Sequence, residues 1–363
     1  MEPLKEMFNR AFYQHFAGVF ADADRNFNTA EFLEDVTVKL DELELNGRLR
    51  NTSVTLRKYL PDNFEKAVDI LYKAAPALRR GYTALVLPDF IALYGKEHFD
   101  LSMEALKDFT SLGSSEFAIR EFLKTDLDKT LKVMSYWAEH PDEHVRRLAS
   151  EGARPRLPWS FKLEQIIKDP SLTTGILERL KADEAPYVRK SVANHLNDIS
   201  KDNASYMLQL VKAWDTDNVH TRWIIKHASR TLIKKGDQDS LSLFDFEKDV
   251  KLSIDNFSIS SHHVQLGEEL QVNFEVKSLK DTPQKLVIDY AIHYVKASGE
   301  HSRKVFKLKE INLLPDQTVA VSKRQIFKDM TTRKHYAGKH IIEIIINGKD
   351  YGSKEFNLVT QQI

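Results

Sequence analysis

The sequence predicts a mainly α protein: a helical-repeat region of the HEAT kind followed by a small all-β sandwich. Three observations lead there. Up to about Lys235 nearly every segment places apolar residues three and four apart, with Asn, Asp, Pro and Gly at the breaks. After Gly236 the chain changes to β-branched and aromatic runs parted by short turn segments. Within the helical part, three stretches also resemble one another at a spacing suited to stacked helix pairs.

In the helical part, Leu123, Leu127, Leu131 and Met134 follow the helical period, as do Val188, Val192, His195, Leu196 and Ile199. The stretches EHVRRLASEGA (143–153), APYVRKSVANHL (185–196) and NVHTRWIIKHAS (218–229) each open on a polar or proline-marked turn. Each then carries an Arg shortly after a Val, followed by an apolar face. Arg146 and Arg189 are 43 residues apart and Arg189 and Arg222 are 33 apart, lengths that suit HEAT-type pairs stacked into a solenoid. The unequal spacing keeps a non-repeating helical bundle as the alternative.

The β part is read from VKLSIDNFSIS, LQVNFEVKSL, KLVIDYAIHYV, KVFKLKEINLL, VAVSKRQIF and KHIIEIIING, with LGEE, KDTP, ASGEH and LPDQ as turns. Short strands at near-regular spacing predict a sandwich of about 110 residues. The stretch SLSLFDFEK (240–248) is the expected junction, which puts a helical domain at 1–243 and a sandwich at 250–363.

Composition narrows the function. The 363 residues are 42% hydrophobic, enough for two folded domains. Lys+Arg and Asp+Glu are both 53, so a polyanion partner must be sought in local clusters rather than in a global field. The absence of cysteine excludes disulfides and thiolate metal sites. The N-terminal MEPLKEMFNRAF lacks the apolar core of a signal peptide, and no apolar run approaches about 18 residues, so a cytoplasmic protein without a membrane contact is expected. His262 and His263 are adjacent but no metal motif accompanies them, and no phosphate-cradling glycine loop is present, so no metal or cofactor is expected.

Two charge patterns stand out. Arg222, Lys226, Arg230 and Lys234 recur every four residues, and no acid occurs between Val219 and Gly236. On one continuous helix they would form a basic stripe along which a polyanion could lie, or a solvated face with a cationic C-terminus that suits the helix dipole. Arg146, Arg147, Arg154 and Arg156 place four positive charges around Glu151, on and just past a helix that Gly152 should end. Arg147 and Glu151 are one turn apart, which also fits an ordinary surface ion pair. The prolines of RPRLPW hold Trp159 at the helix exit, either as a stacking platform or as a plug between repeats. Trp137 and Trp214 fit helical faces and are expected in the core, while Trp223 beside the stripe fits either place.

The stretches SSEFAIREFL (114–123), VRRLASEGARPRLPW (145–159), VRKSVANHLNDISKDN (188–203) and HTRWIIKHASRTLIKKG (220–236) resemble the AlkC family of bacterial alkylpurine DNA glycosylases, and the β-rich tail is similar to that family's immunoglobulin-like domain. The resemblance spans essentially the whole chain. It implies a HEAT-like solenoid that holds duplex DNA and hydrolyses the N-glycosidic bond of 3-methyladenine and 3-methylcytosine. It also implies active-site carboxylates at Glu116, Glu151 and Asp198, with Trp159 as the aromatic wall, although Asp202 lies one turn beyond Asp198. The sister AlkD family uses two tryptophans and one aspartate, a pattern this chain does not show.

The chemistry suits these residues. A base alkylated at N3 is cationic and leaves readily, so the remaining tasks are to stabilise an oxocarbenium-like sugar and to position water. A tryptophan facing the cationic base adds about 0.5–2 kcal/mol of cation–π attraction. Arg146, Arg147, Arg154, Arg156, Arg189, Lys190, Arg222, Lys226 and Arg230 are then the expected contacts to the DNA backbone. Lys190 and Lys226 sit among arginines with no apolar pocket evident, so no Schiff-base lyase step is expected, and a monomer is expected. In the sandwich Lys296, Arg303, Lys304, Lys323, Arg324, Arg333 and Lys334 are scattered, and a DNA role there rests on the resemblance. The competing reading is a non-catalytic HEAT-type scaffold that binds DNA or protein.

Overall fold

The structure, a computed structural model, describes residues 3–329 and 334–360; Arg333 lies outside the described residues. Contacts divide the chain into two compact units. The first holds Met1–Met207 and Ala213–Ala228, and the second holds Leu208–Lys212 and Ser229–Ile363.

The first unit is helical. Its first half contains α1 (Arg10–Ala23), α2 (Thr29–Thr37), α3 (Leu45–Lys58), α4 (Phe64–Ala74), α5 (Val86–Tyr94) and α6 (Phe99–Phe109). Three of these helices, α1, α2 and α4, start where the sequence supplies a cap: the side chains of Asn9, Asn28 and Asn63 accept from the backbone N–H three residues on. Phe8, Tyr13, Phe16, Phe20 and Phe32 are fully buried and form an aromatic core for this half.

The second half contains α7 (Ile119–Thr125), α8 (Leu127–Trp137), α9 (Glu143–Gly152), α10 (Glu164–Lys168), α11 (Thr174–Leu180), α12 (Pro186–Ile199), the start of α13 (Ala204–Lys212, whose Leu208–Lys212 group with the second unit) and α14 (Val219–Ala228). Helix α9 packs on α12 and α12 on α14, while α8 and α11 pack behind α9 and α12. Val145, Leu148, Val188, Val192 and Leu196 are at most 3% exposed, each contributing about 1.5–3 kcal/mol through burial. Gly152 is required by this packing, because a Cβ there would stand 2.4 Å from Ile119 Cγ2. Trp137 and Trp214 are in the core.

The repeated arginine has a structural explanation. Arg146 donates to the carbonyls of His140 and Pro141 at 2.9 and 2.8 Å, and Arg189 donates to those of Asp183 and Glu184 at 2.9 and 2.6 Å. Arg222 donates to Thr216 O at 2.8 Å. In each case an arginine in the first turn of an inner helix reaches back over the preceding turn and satisfies its carbonyls. The three repeats therefore share a loop clamp.

Ser229, with φ −77° and ψ −4°, leaves the helical ψ range and separates α14 from α15 (Arg230–Lys234). The single helix expected over the basic stripe is thus two helices, and Arg222 and Lys226 belong to one unit while Arg230 and Lys234 belong to the other.

The second unit holds α15, α16 (Gln238–Ser242) and eight strands. These are β1 (Leu252–Ile259), β2 (His263–Gln265), β3 (Glu269–Ser278), β4 (Gln284–Val295), β5 (His301–Leu313), β6 (Thr318–Ile326), β7 (Gly338–Ile346) and β8 (Lys349–Val359). They form sheets of order β1-β3-β6 and β2-β8-β7-β4-β5. Val272, Phe274, Ile288, Ile292, Ile342, Ile344 and Phe356 fill the space between them. The six runs read as strands are β1 and β3–β7. Strands β2 and β8 escape the sequence pattern because β2 is three residues long and β8 is exposed along most of its length. β7 and β8 join through Asn347 and Gly348, both at positive φ (47° and 79°), as a two-residue hairpin turn demands.

Candidate active site

The site is built on three segments of the helical unit: the turn before α7, helix α9, and the loop after α9. Ser115 fixes the first. It is fully buried and donates to Leu106 O at 2.6 Å, which leaves the neighbouring Glu116 side chain facing α9. Glu116 accepts from Ser114 Oγ at 2.8 Å and from Arg147 Nη1 at 2.6 Å.

Arg147 also approaches Glu151, with 3.6 Å between Nη2 and Oε1, so one guanidinium bridges two carboxylates. Burial works against its charge, but Glu116 and Glu151 outweigh that and hold its pKa above the ordinary arginine value. Its plane lies 4.5 Å from the Tyr187 ring centroid. Glu151 is 5% exposed, so the surface ion-pair reading does not hold. Its nearer partner is Arg154, at 2.7 Å.

Arg154 shares its charge between two acids. Its Nη1 bonds Glu151, while Nε and Nη2 both lie 2.8 Å from Asp198 Oδ2. Lys201 Nζ bonds the other Asp198 oxygen at 2.7 Å. Two residues on, Arg156 forms a bidentate pair with Asp202, both contacts 2.7 Å. Alternate arginines of the RPR stretch thus dock on acids one turn apart at the end of α12.

Arg120 holds the same loop from below. It is fully buried and donates to Gly152 O at 2.9 Å, Arg154 O at 2.6 Å and Phe161 O. Burial first, and then the charge of Arg154, pull its pKa down to about 10. Between those anchor points the chain passes Pro155 and Pro158 and reaches Trp159 at φ 66°. A left-handed tryptophan costs about 1–3 kcal/mol, which the anchors on either side sustain. Trp159 is 70% exposed, so it is not a plug between repeats. Its ring stands edge-on to Tyr82, 6.5 Å between centroids.

These segments enclose a cleft of about 480 Å³ lined by Glu116, Arg147, Glu151, Trp159, Tyr82 and Tyr187 among others. Arg154 also reaches it. Asp198, 1% exposed, does not: it lies behind Arg154, so the resemblance-implied third carboxylate is not at the cleft surface.

Most of the expected backbone contacts are also occupied within the fold. Besides its carbonyl contacts, Arg146 pairs with Asp183 at 2.7 and 3.2 Å, and Arg154 and Arg156 hold their acids. Arg189 clamps its turn and lies 5.8 Å from the Trp223 ring centroid, and Arg222 clamps its own turn. Lys190, Arg222 and Lys226 are exposed on α12 and α14, and Arg230 is half-buried on α15. Arg120, Tyr82 and Tyr187 are the site residues that sequence reasoning missed. Arg120 had one signal, a charge on the apolar face shared by Ile119, Phe122 and Leu123. Among the described residues no three His, Asp or Glu side chains group as a metal site, and no helix is long and apolar enough to cross a membrane.

Comparison with known proteins places this arrangement. A family model described as "DNA alkylation repair enzyme" matches residues 109–232, the segment that carries the cleft carboxylates and Trp159. A second, described as the C-terminal Ig-like domain of uncharacterised protein YhaZ, matches residues 253–360. The uncharacterised protein YhaZ of Bacillus subtilis is 41% identical over 99% of this chain and 100% of its own. The Pseudomonas fluorescens alkylpurine DNA glycosylase AlkC, solved bound to DNA containing an abasic site analog, is 44% identical with a TM-score of 0.96 over 99% of this chain and 100% of that one. This chain belongs to the AlkC family. The cleft carboxylates of this AlkC-family protein therefore lie within its DNA-alkylation-repair segment, while Tyr82 reaches the cleft from outside it, and its sandwich is the Ig-like domain.

Proposed function

We propose that this chain is a monofunctional DNA glycosylase that hydrolyses the N-glycosidic bond of cationic alkylated bases, 3-methyladenine and 3-methylcytosine, in double-stranded DNA. The observation that carries the reading is the cleft itself. Glu116 and Glu151, bridged by Arg147, face a space rimmed by an exposed tryptophan held in a left-handed conformation.

In this reading the bond from the sugar to the cationic base breaks, and the base leaves with the electron pair and becomes neutral. Positive charge then develops on the sugar, which the two carboxylates stabilise. Water adds to the sugar carbon and gives its proton to a carboxylate. Trp159 offers the alkylated base a π face, which favours cationic over neutral bases. Asp198 acts as a positioning residue: by holding Arg154 it fixes the donor that orients Glu151. Catalysis and DNA binding are assigned to residues 1–243, and residues 250–363 to the immunoglobulin-like domain. The enzyme so described works without a cofactor, as a cytoplasmic monomer with no membrane partner.

The test is incubation with methylated genomic DNA in EDTA, with released bases identified by mass spectrometry. Free 3-methyladenine is expected. Folded, DNA-binding protein that releases no base would overturn the reading in favour of a scaffold.

A further inference from the structure

With Arg146, Arg154, Arg156 and Arg189 engaged inside the fold, the cations beside the cleft that lack carboxylate partners are the candidates for holding phosphate near the lesion. The stretch Arg79–Arg80–Gly81–Tyr82 lies beside the cleft. Tyr82 and Gly81 line the cleft and also a second cavity of about 510 Å³, whose wall includes Arg79, Arg80 and His15. Both arginines are exposed, and among the described residues neither forms an ion pair with a carboxylate. The one acid lining that cavity, Glu6, is paired with Arg48 at 3.4 Å.

The corner is also built into the active-site framework. Gly81, at φ 124°, donates its N–H to Leu112 O at 2.8 Å, and its carbonyl lies so close to Gly113 that a Cβ there would stand 2.7 Å from it. Gly113 precedes Ser114 and Glu116 in the same turn segment, so the arginine pair and the catalytic carboxylate are fixed to one another through backbone. The Tyr82 hydroxyl is tied to Asn46 Oδ1, which orients its ring toward Trp159.

We infer that Arg79 and Arg80 bind DNA phosphates flanking the nucleotide in the cleft, with Tyr82 forming the wall between the two spaces. The inference rests on the glycosylase reading for the placement of the lesion. The chemistry is that of a polyanion contact: two guanidiniums without carboxylate partners, beside a cavity open to a sugar–phosphate chain.

The test measures binding of the full chain to duplex DNA carrying an abasic-site analogue, by fluorescence anisotropy between 50 and 200 mM salt (about the range over which phosphate contacts dominate). Arg79→Gln/Arg80→Gln is expected to weaken binding and to lower the slope of log K against log salt by about 2, roughly one for each phosphate no longer neutralised. Arg79→Lys/Arg80→Lys is expected to restore most of the slope, because charge is kept. An unchanged slope in the Gln double variant, with an unchanged thermal melt, would overturn the inference. A reduced slope that Lys does not restore would also overturn it, since that pattern follows from altered packing rather than from removal of charge. Because binding is read without excision, failure of this inference and failure of the glycosylase reading are separable: bases released with an unaltered slope refute the corner alone, and an altered slope with no base released refutes the glycosylase alone.

Discussion

Each unit of this protein contains an arginine–carboxylate system, and the two are built differently. In the sandwich, Arg303 on β5 makes a bidentate pair with Glu343 on β7, both contacts 2.9 Å, and His293 on the intervening β4 completes it at 2.9 Å. One acid is matched to one permanent cation, across neighbouring strands, as in an ordinary sheet-surface ladder. In the helical unit Arg147 serves Glu116 and Glu151, Arg154 serves Glu151 and Asp198, and the buried Arg120 serves no acid but three carbonyls. Charges there are shared and buried, which costs desolvation that a purely structural core would avoid. That cost is concentrated at the turn, helix and loop that meet at the cleft.

The sharpest way to erase the contrast is Glu151→Gln. Excision is expected to fall about 10²–10³-fold while DNA affinity survives, as when one oriented group that stabilises the transition state is removed. Single-turnover release of 3-methyladenine measures the first, and anisotropy the second. Equal excision by the variant would take Glu151 out of the mechanism and make this network resemble the one in the sandwich.

Next in size is Arg120→Met. Three carbonyls lose their donor, at about 1–3 kcal/mol for each one left buried and unsatisfied. Urea unfolding should show a loss of at least a few kcal/mol, and the remaining folded enzyme should excise more slowly because the loop bearing Arg154 and Trp159 is released. A variant with wild-type stability would show that the loop does not depend on this hub.

Acid separates the units in sign. His195 is fully buried, bonded to Ser150 O at 3.0 Å, and burial lowers its pKa from 6.5 to about 4. Between those values the unfolded chain takes up a proton that the fold refuses, so the helical unit should lose on the order of 3 kcal/mol as pH falls from about 6.5 to 4. Asp289 in the sandwich is 2% exposed, and burial raises its pKa from 3.8 to about 6 despite Lys234 and Lys307. That unit should instead lose stability as pH rises through the same interval, and Asp289→Asn should stabilise it at neutral pH. All four tryptophans lie in the helical unit, so tryptophan fluorescence follows that unit in urea titrations at pH 4 to 7 while circular dichroism follows both. A helical transition indifferent to pH would contradict the His195 assignment.

Trp159→Ala should have the mildest consequence. Loss of about 0.5–2 kcal/mol of cation–π attraction should reduce the preference for cationic over neutral lesions by roughly 2- to 30-fold. Competition between 3-methyladenine and a neutral alkylated base measures it, and unchanged selectivity would leave Trp159 a steric wall only.

Much of this molecule was legible in the residues. Period-3.6 and period-2 patterns distinguish the helical part from the strands because the burial of one face depends on local spacing, and capping Asn and Asp residues mark helix starts for the same local reason. Glu116, Glu151 and Trp159 were recognisable through motif resemblance, and the structure brings them to one cleft. The arginines were not legible in the same way. A sequence displays charge but not its partner, and the acids that engage Arg154 and Arg156 lie 44 and 46 residues away. Only the packing of α9 on α12 decided that Asp198 and Asp202 would meet them, and only the tertiary fold left Arg79 and Arg80 without carboxylate partners beside the cleft. Local spacing determined the elements; long-range contact decided which charges are engaged inside the fold and which face a ligand, because Coulomb and hydrogen-bond partners are chosen by distance in space.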